Sequence, residues 1–107
     1  IDKNTLVSQI IESTFPMGSM TGAPKIKSMK LIDKFENISR GIYSGSVGYF
    51  MPNGDFDFNV VIRSIIYDSN NQKLNLNIGS AITYNSKAEN EYDECQLKAE
   101  AMIEALK

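Results

Sequence analysis

Apolar residues recur every three or four positions in three stretches of the chain, which is the spacing of an amphipathic helix. The apolar positions are Leu6, Val7, Ile10 and Ile11 in the first stretch, Ile26, Met29, Ile32 and Phe35 in the second, and Ala88, Tyr92, Cys95, Ala99, Met102 and Leu106 in the third. Asn4 is a favourable N-cap for a first helix over residues 5–13, and Pro24 suits the first position of a second helix that reaches Glu36. Ser86 and Glu89 match a capping box at the start of the third helix.

Between the second and third helices, apolar and polar positions alternate, which is typical of half-buried strands. The alternation predicts strands over residues 42–51, 56–66 and 74–82. Asn53-Gly54 favours a two-residue primed turn between the first two strands, and the polar run 68–72 joins the second to the third. We therefore expect an α+β fold, in which a three-stranded antiparallel sheet is covered by helices.

Composition and charge narrow the range of functions. The chain has 107 residues and a formal net charge of −2, so it lacks the basic excess typical of nucleic-acid-binding domains. Its apolar runs are far shorter than the roughly 18 residues of a membrane span. With no histidine and one cysteine, the chain alone forms neither an imidazole acid–base site nor an internal disulfide, and a reducing cytoplasm is the expected compartment. Its size predicts a core that buries roughly two thirds of the surface of the unfolded chain.

Two acidic side chains of the third helix are candidate metal ligands. Glu91 and Glu94 lie three positions apart, so they project from one side of the helix. Two such carboxylates can hold one hard cation such as Mg²⁺, which completes its shell with water and substrate oxygens. The alternative is a pair of solvated surface acids.

Arg63 interrupts the most apolar predicted strand. A guanidinium buried there needs an anion. That anion is either a structural carboxylate, such as Asp57 or Glu36, or a ligand carboxylate or phosphate held by two hydrogen bonds.

Three further places offer polar groups to a ligand. Ser19 and Lys25 lie in a loop of glycines and hydroxyl residues before the second helix, where backbone N–H groups favour an anion, although an ordinary capped loop explains the same pattern. Small residues at Gly79-Ser80-Ala81 allow either a close ligand or a plain bulge. Tyr43 either donates to a substrate or simply packs.

Four blocks of the sequence resemble the chorismate-utilising enzymes over nearly the whole chain. The blocks are FPMGSMTGAPK at 15–25, RGIYSGSVGY at 40–49, IR at 62–63 and EYDE at 91–94. The first block is most similar to the aminodeoxychorismate synthase branch of the family, with anthranilate synthase, isochorismate and salicylate branches as alternatives. Because the chain begins without Met, and the family's catalytic domain is much longer, we expect residues 1–107 to be the C-terminal part of a chorismate-binding catalytic domain.

The resemblance also implies roles for individual residues. Glu91 and Glu94 would belong to the Mg²⁺ site that holds the ring carboxylate of chorismate. Tyr43 and Arg63 would contact the enolpyruvyl carboxylate, and backbone amides at Gly79 and Ser80 would contact a substrate carboxylate. Ser19 and Lys25 lie in the first block as further substrate-binding candidates. The implied reaction replaces the ring 4-hydroxyl of chorismate by an amino group, with ammonia from a glutamine amidotransferase partner.

The chain departs from the family pattern at two places and lacks some of its groups. It has Gly79-Ser80-Ala81 where the family typically has Gly-Ala-Gly, and Asn85 where an Asp usually precedes the serine. The family's other glutamates and its lysine nucleophile lie upstream of Ile1, so the catalytic residues are unassigned and the isolated chain is expected to be inactive. A non-enzymatic alternative is an α+β piece that associates with copies of itself through uncovered apolar surface.

Overall fold

Helices occupy both ends of the chain and short strands lie between them. The computed structural model describes residues 5–107. Along this part of the chain the elements are α1 (Val7–Thr14), α2 (Gly18–Thr21), α3 (Lys25–Phe35), β1 (Ser46–Phe50), β2 (Phe56–Val60), β3 (Ile65–Asp68), β4 (Lys73–Leu76) and α4 (Ala88–Glu104). Residues 5–46 form one compact unit and residues 47–107 form a second. Helices with antiparallel hairpins confirm the α+β class.

Three helices form the first unit, one more than the spacing predicts. α1 begins at Val7 with Leu6 as its N-cap, whose N–H donates to Oε1 of Gln9 at 3.0 Å. The predicted cap, Asn4, lies outside the described residues. The glycine-rich loop contains the additional short helix α2, which ends at Gly22 with a φ of 109°. Pro24 is the N-cap of α3 rather than its first residue.

The β1–β2 hairpin confirms the predicted pairing of these two strands, but β1 begins at Ser46 rather than at residue 42, and the turn is different. The N–H of Gly54 donates to the carbonyl of Met51 at 3.0 Å, and the N–H of Met51 donates to the carbonyl of Asp55 at 2.7 Å. Gly54 has a φ of 94°, whereas Asn53 is not among the described residues with positive φ. Both kinds of primed turn need positive φ at the first central position, which is Asn53 here, so the prediction is wrong. The loop has three residues, with Gly54 in the left-handed region.

The predicted strand over residues 56–66 is interrupted, and the prediction of a three-stranded meander is wrong. Arg63 has a φ of 51° and lies between β2 and β3. The N–H of Ile62 donates to the carbonyl of Val60 at 2.9 Å, so the backbone turns locally instead of extending a ladder. Within the described chain, β1 pairs with β2 in one two-stranded sheet, and β3 pairs with β4 in another.

The β3–β4 hairpin confirms the predicted polar turn. Its antiparallel register pairs Ile65 with Leu76 and Asp68 with Lys73. The carboxylate of Asp68 accepts hydrogen bonds from the N–H groups of Asn70 and Asn71 at 3.0 and 3.3 Å, which closes the turn. β4 ends at Leu76, six residues before the predicted end of this strand.

α4 contains the apolar stripe that predicted it, but its start differs. The helix begins at Ala88 with Lys87 as N-cap and without a side-chain cap. The hydroxyl of Ser86 instead accepts a hydrogen bond from the N–H of Thr83 at 2.9 Å, which stabilises the preceding turn. The predicted capping box is therefore wrong.

Few side chains of the described residues are buried. Among the described residues, the buried apolar side chains are Val61 and Met102, and the buried polar one is Ser44. Large apolar side chains are exposed in both units, including Phe35 at 67% and Leu97 at 68%. The expected core is therefore not formed within residues 5–107. No helix within residues 5–107 has the length and apolar character needed to cross a bilayer.

Candidate functional site

The acidic pair of α4 faces the segment that follows β4. The hydroxyl of Ser80 donates a hydrogen bond to Oε2 of Glu91. Nζ of Lys98 forms an ion pair with Oε1 of Glu94 and donates to the carbonyl oxygen of Gly79 at 3.3 Å. Two glutamates, a hydroxyl and an ammonium group therefore meet beside the first half of α4.

The charges around Glu94 keep this carboxylate ionised. The hydrogen bond from Lys98 is the main cause that lowers the pKa of Glu94, and the charge of Lys98 adds to it. Partial desolvation opposes this shift, while the Ser80 hydroxyl and the charge of Arg63 lower the same pKa further. Glu94 is thus an anion throughout the neutral range, as a metal ligand must be.

Arg63 differs from its predicted setting. It is exposed in the turn between β2 and β3 rather than buried in a strand, so no buried anion is required. Glu36, one of its two predicted carboxylate partners, binds Arg40 instead. The positive charge of Arg63 lowers the pKa of Glu94, so Arg63 lies close to the acidic pair.

The donor set fits half of a magnesium site. Glu91 and Glu94 supply carboxylate oxygens, which Mg²⁺ prefers, and Mg²⁺ commonly takes only one or two carboxylates from a protein. Within residues 5–107 there is no group of three or more His, Cys, Asp or Glu side chains that could hold a metal ion. The remaining ligands would have to be water, substrate oxygens or groups outside this chain, and the role of the pair in metal binding stays a prediction.

In the first unit, Arg40 connects three segments. Its Nε and Nη2 donate to the two carboxylate oxygens of Glu36 at 2.7 and 2.5 Å, in a bidentate pair at the end of α3. Its Nη1 donates to the carbonyl of Met20 in α2 at 3.0 Å and to the hydroxyl of Ser44 at 3.1 Å. Arg40 thereby fixes the turn that contains Tyr43 against α2 and α3.

An open cavity of about 280 Å³ lies beside this network. Its lining residues are Phe15, Pro16, Thr21, Met29, Ile32, Asp33, Arg40, Gly41, Tyr43, Ser44 and Gly45. Of the site residues predicted in this unit, Tyr43 lines the cavity, whereas Ser19 and Lys25 do not. Ser19 is exposed in α2, and Lys25 is half-buried at the start of α3. Their substrate-binding roles stay predictions.

Sequence reasoning missed two of these residues, Lys98 and Arg40. Lys98 follows Glu94 by four positions within α4, and an acidic residue four positions before a basic one favours an ion pair along a helix, so this pair could have been predicted. Arg40 follows Glu36 by the same spacing, but α3 ends at Phe35, so the helical rule gives no signal for this pair. The additional bonds to Gly79, Met20 and Ser44 depend on the tertiary fold, so the spacing does not reveal them.

The comparison with known proteins adds the family and the relatives. The family described as chorismate binding enzyme matches residues 1–104. The chain is 44% identical over 106 residues to "Aminodeoxychorismate synthase, chloroplastic" of Arabidopsis thaliana, which covers 97% of this chain and 11% of that protein. It is 48% identical over 91 residues to "Probable aminodeoxychorismate synthase, chloroplastic" of Oryza sativa subsp. japonica, with 85% of this chain and 10% of that protein covered.

Relatives of a second kind are similar over a comparable length. "Anthranilate synthase component 1" of Acinetobacter calcoaceticus is 38% identical over 97 residues, which cover 91% of this chain and 19% of that protein. The chain therefore spans between 10% and 19% of the length of these three relatives.

Proposed function

The chain belongs to the chorismate-binding enzyme family, and from this premise we propose that it is the C-terminal part of the catalytic domain of an aminodeoxychorismate synthase. The reaction replaces the 4-hydroxyl of chorismate by an amino group and forms 4-amino-4-deoxychorismate. Ammonia comes from glutamine through an amidotransferase partner, and the product serves para-aminobenzoate and folate synthesis. The single cysteine, Cys95, is a free thiol and is compatible with a reducing cytoplasm.

The observation that carries this choice is the identity to the two plant aminodeoxychorismate synthases, at 44% and 48%. The anthranilate synthase components of Acinetobacter calcoaceticus and Aquifex aeolicus are 38% and 37% identical. An anthranilate synthase is the second candidate, because one such relative, from Haloarcula marismortui, reaches 41% over 96 residues.

The second unit supplies the residues that would bind the substrate's anionic groups. Glu91 and Glu94 would hold Mg²⁺, which neutralises and orients a carboxylate of chorismate when it is bound. Arg63 adds a second positive charge next to this pair, which favours a dianionic substrate. The Gly79-Ser80 segment is held beside α4 by its bonds to Lys98 and Glu91, so its backbone lies next to the acidic pair.

The test uses the full-length protein that carries this chain, incubated with chorismate, Mg²⁺ and ammonia. Mass spectrometry and NMR identify the product. We expect 4-amino-4-deoxychorismate from the wild type and from a Glu89→Gln control, whose side chain is exposed in the first turn of α4. Glu94→Ala should lose at least about 99% of the activity, since metal-assisted charge stabilisation is worth several kcal/mol.

Other outcomes separate the remaining possibilities. Anthranilate as the product would favour the second candidate, while loss in Glu94→Ala would still support the site. Full activity of Glu94→Ala would contradict the role of the acidic pair, and an unreacted chorismate pool with folded wild-type protein would contradict the proposed reaction.

A further inference from the structure

Ser80 is a hydroxyl residue that the structure places against the acidic pair of α4. It is half-buried, its hydroxyl donates to Oε2 of Glu91, and it also interacts with the carboxylate of Glu94. The neighbouring Gly79 is fixed to the same helix through its carbonyl oxygen, which accepts from Nζ of Lys98 at 3.3 Å. The hydroxyl of Ser80 is therefore presented to Glu91 by a segment that is itself held to α4.

The hydrogen bond changes what Glu91 can do as a ligand. An unrestrained glutamate side chain loses conformational freedom when a ligand fixes it in one rotamer, and this loss opposes binding. In this chain the hydroxyl of Ser80 already restrains the carboxylate of Glu91 before any ligand binds. A single donor uses only part of the carboxylate's accepting capacity, because two oxygens offer about four lone-pair sites. Glu91 therefore keeps oxygen lone pairs for a cation.

We propose that Ser80 is a positioning residue that orients the Glu91 carboxylate for Mg²⁺ and so raises the Mg²⁺ affinity of this enzyme. The inference rests on the proposed role of Glu91 and Glu94 in metal binding. It depends on the side chain of Ser80, since an alanine at this position would have no hydroxyl to donate. Hydrogen-bond donors behind a metal ligand typically change metal affinity by about 10–100-fold.

The test measures the dissociation constant of Mg²⁺ in the full-length protein by isothermal titration calorimetry, with no substrate present. We expect Ser80→Ala to raise this constant about tenfold. Ser80→Thr keeps the hydroxyl that donates to Glu91 and should therefore bind Mg²⁺ to within about threefold of the wild type. Ser69→Ala, at an exposed position of the β3–β4 turn, is the matched control and should bind as the wild type does.

Glu91→Gln and Glu94→Gln separate the inference from the proposal on which it rests. If both variants bind Mg²⁺ as the wild type does, the proposed metal role is wrong. If they weaken binding while Ser80→Ala does not, the metal role stands and the positioning role of Ser80 is overturned. If Ser80→Ala and Ser80→Thr weaken binding equally, the hydroxyl is not the cause, and the inference is likewise overturned.

Discussion

Gly48 lies where the β1–β2 hairpin leaves no room for a side chain. A Cβ at this position would overlap the carbonyl oxygen of Asp57 and the ring of Phe58. We expect Gly48→Ala to lower the free energy of unfolding by about 1–3 kcal/mol, because the strand must shift to admit a methyl group. A Cβ at Gly18 meets no atom within 4 Å beyond its chain neighbours, so Gly18→Ala should change stability by less than about 1 kcal/mol. Urea denaturation compares the two, and equal losses would contradict the steric explanation.

Glu36 makes the stability of the first unit depend on pH. The hydrogen bonds from Arg40 lower the pKa of Glu36, against an opposing effect of desolvation. A carboxylate whose pKa is lowered on folding stabilises the fold above its unfolded pKa of about 4.5 and loses that contribution as the pH falls through the lower, folded value.

Replacing this carboxylate should therefore matter at neutral pH and not in acid. At pH 7 we expect Glu36→Gln to cost about 0.5–1 kcal/mol, the range of a partly exposed ion pair. The difference from the wild type should shrink below pH 4.5 and vanish at lower pH. Urea denaturation at several pH values measures it, and Glu12→Gln, an exposed position of α1, is the control. A constant difference at all pH values would show that charge is not involved.

At the scale of elements, Arg40 holds α2, the end of α3 and the turn that contains Tyr43. Hydrogen bonds from a charged donor contribute about 1.5–3 kcal/mol, so Arg40→Ala should destabilise the chain by about 1–3 kcal/mol. Arg40→Lys keeps the charge but not the planar fork, and should recover less than half of the loss. Hydrogen exchange localises the effect: amides of residues 41–45 should exchange faster in both variants. Unchanged exchange there would show that Arg40 does not fix this turn.

Periodicity predicted the helices better than the strands, for a physical reason. Apolar spacing locates α1, α3 and α4 to within about two residues at their starts, because each helix presents one apolar stripe. Alternation does not reveal a single backbone reversal, and the positive φ of Arg63 divides one predicted strand into two sheets. A non-glycine residue rarely adopts this conformation, so the sequence contains no signal for it.

The candidate site was only partly accessible from the sequence. The spacing of Glu91 and Glu94 follows from helix geometry and predicts that both lie on one side of α4, and Ser80 interacts with both carboxylates. The contacts of Ser80 and Lys98 with this pair join positions 11 and 19 residues apart, which only the folded chain brings together. The block from Arg40 to Tyr43 carried the family resemblance, yet it gave no sign that Arg40 is the centre of a network.

At the scale of the whole molecule, most large apolar side chains of the described residues are not buried. Val61 and Met102 are its buried apolar residues within the described part, while Ile38, Ile82 and Tyr84 are at least 77% exposed. Soluble monomers rarely leave large contiguous apolar patches uncovered, and such patches associate with other surfaces. The exposed side chains belong to both units, so neither unit covers its own apolar surface.

We therefore expect the isolated 107-residue chain to self-associate and to leave chorismate unreacted. Light scattering coupled to size exclusion should give a mass above 11.9 kDa that increases with protein concentration. The driving force is the burial of apolar surface at roughly 25 cal/mol per Å², so association should weaken in the cold. Added salt should not dissociate the complex, because salt screens ionic contacts but not apolar ones. A clean monomer at high concentration would contradict this, and turnover of chorismate by the isolated chain would show that its residues alone complete the active site.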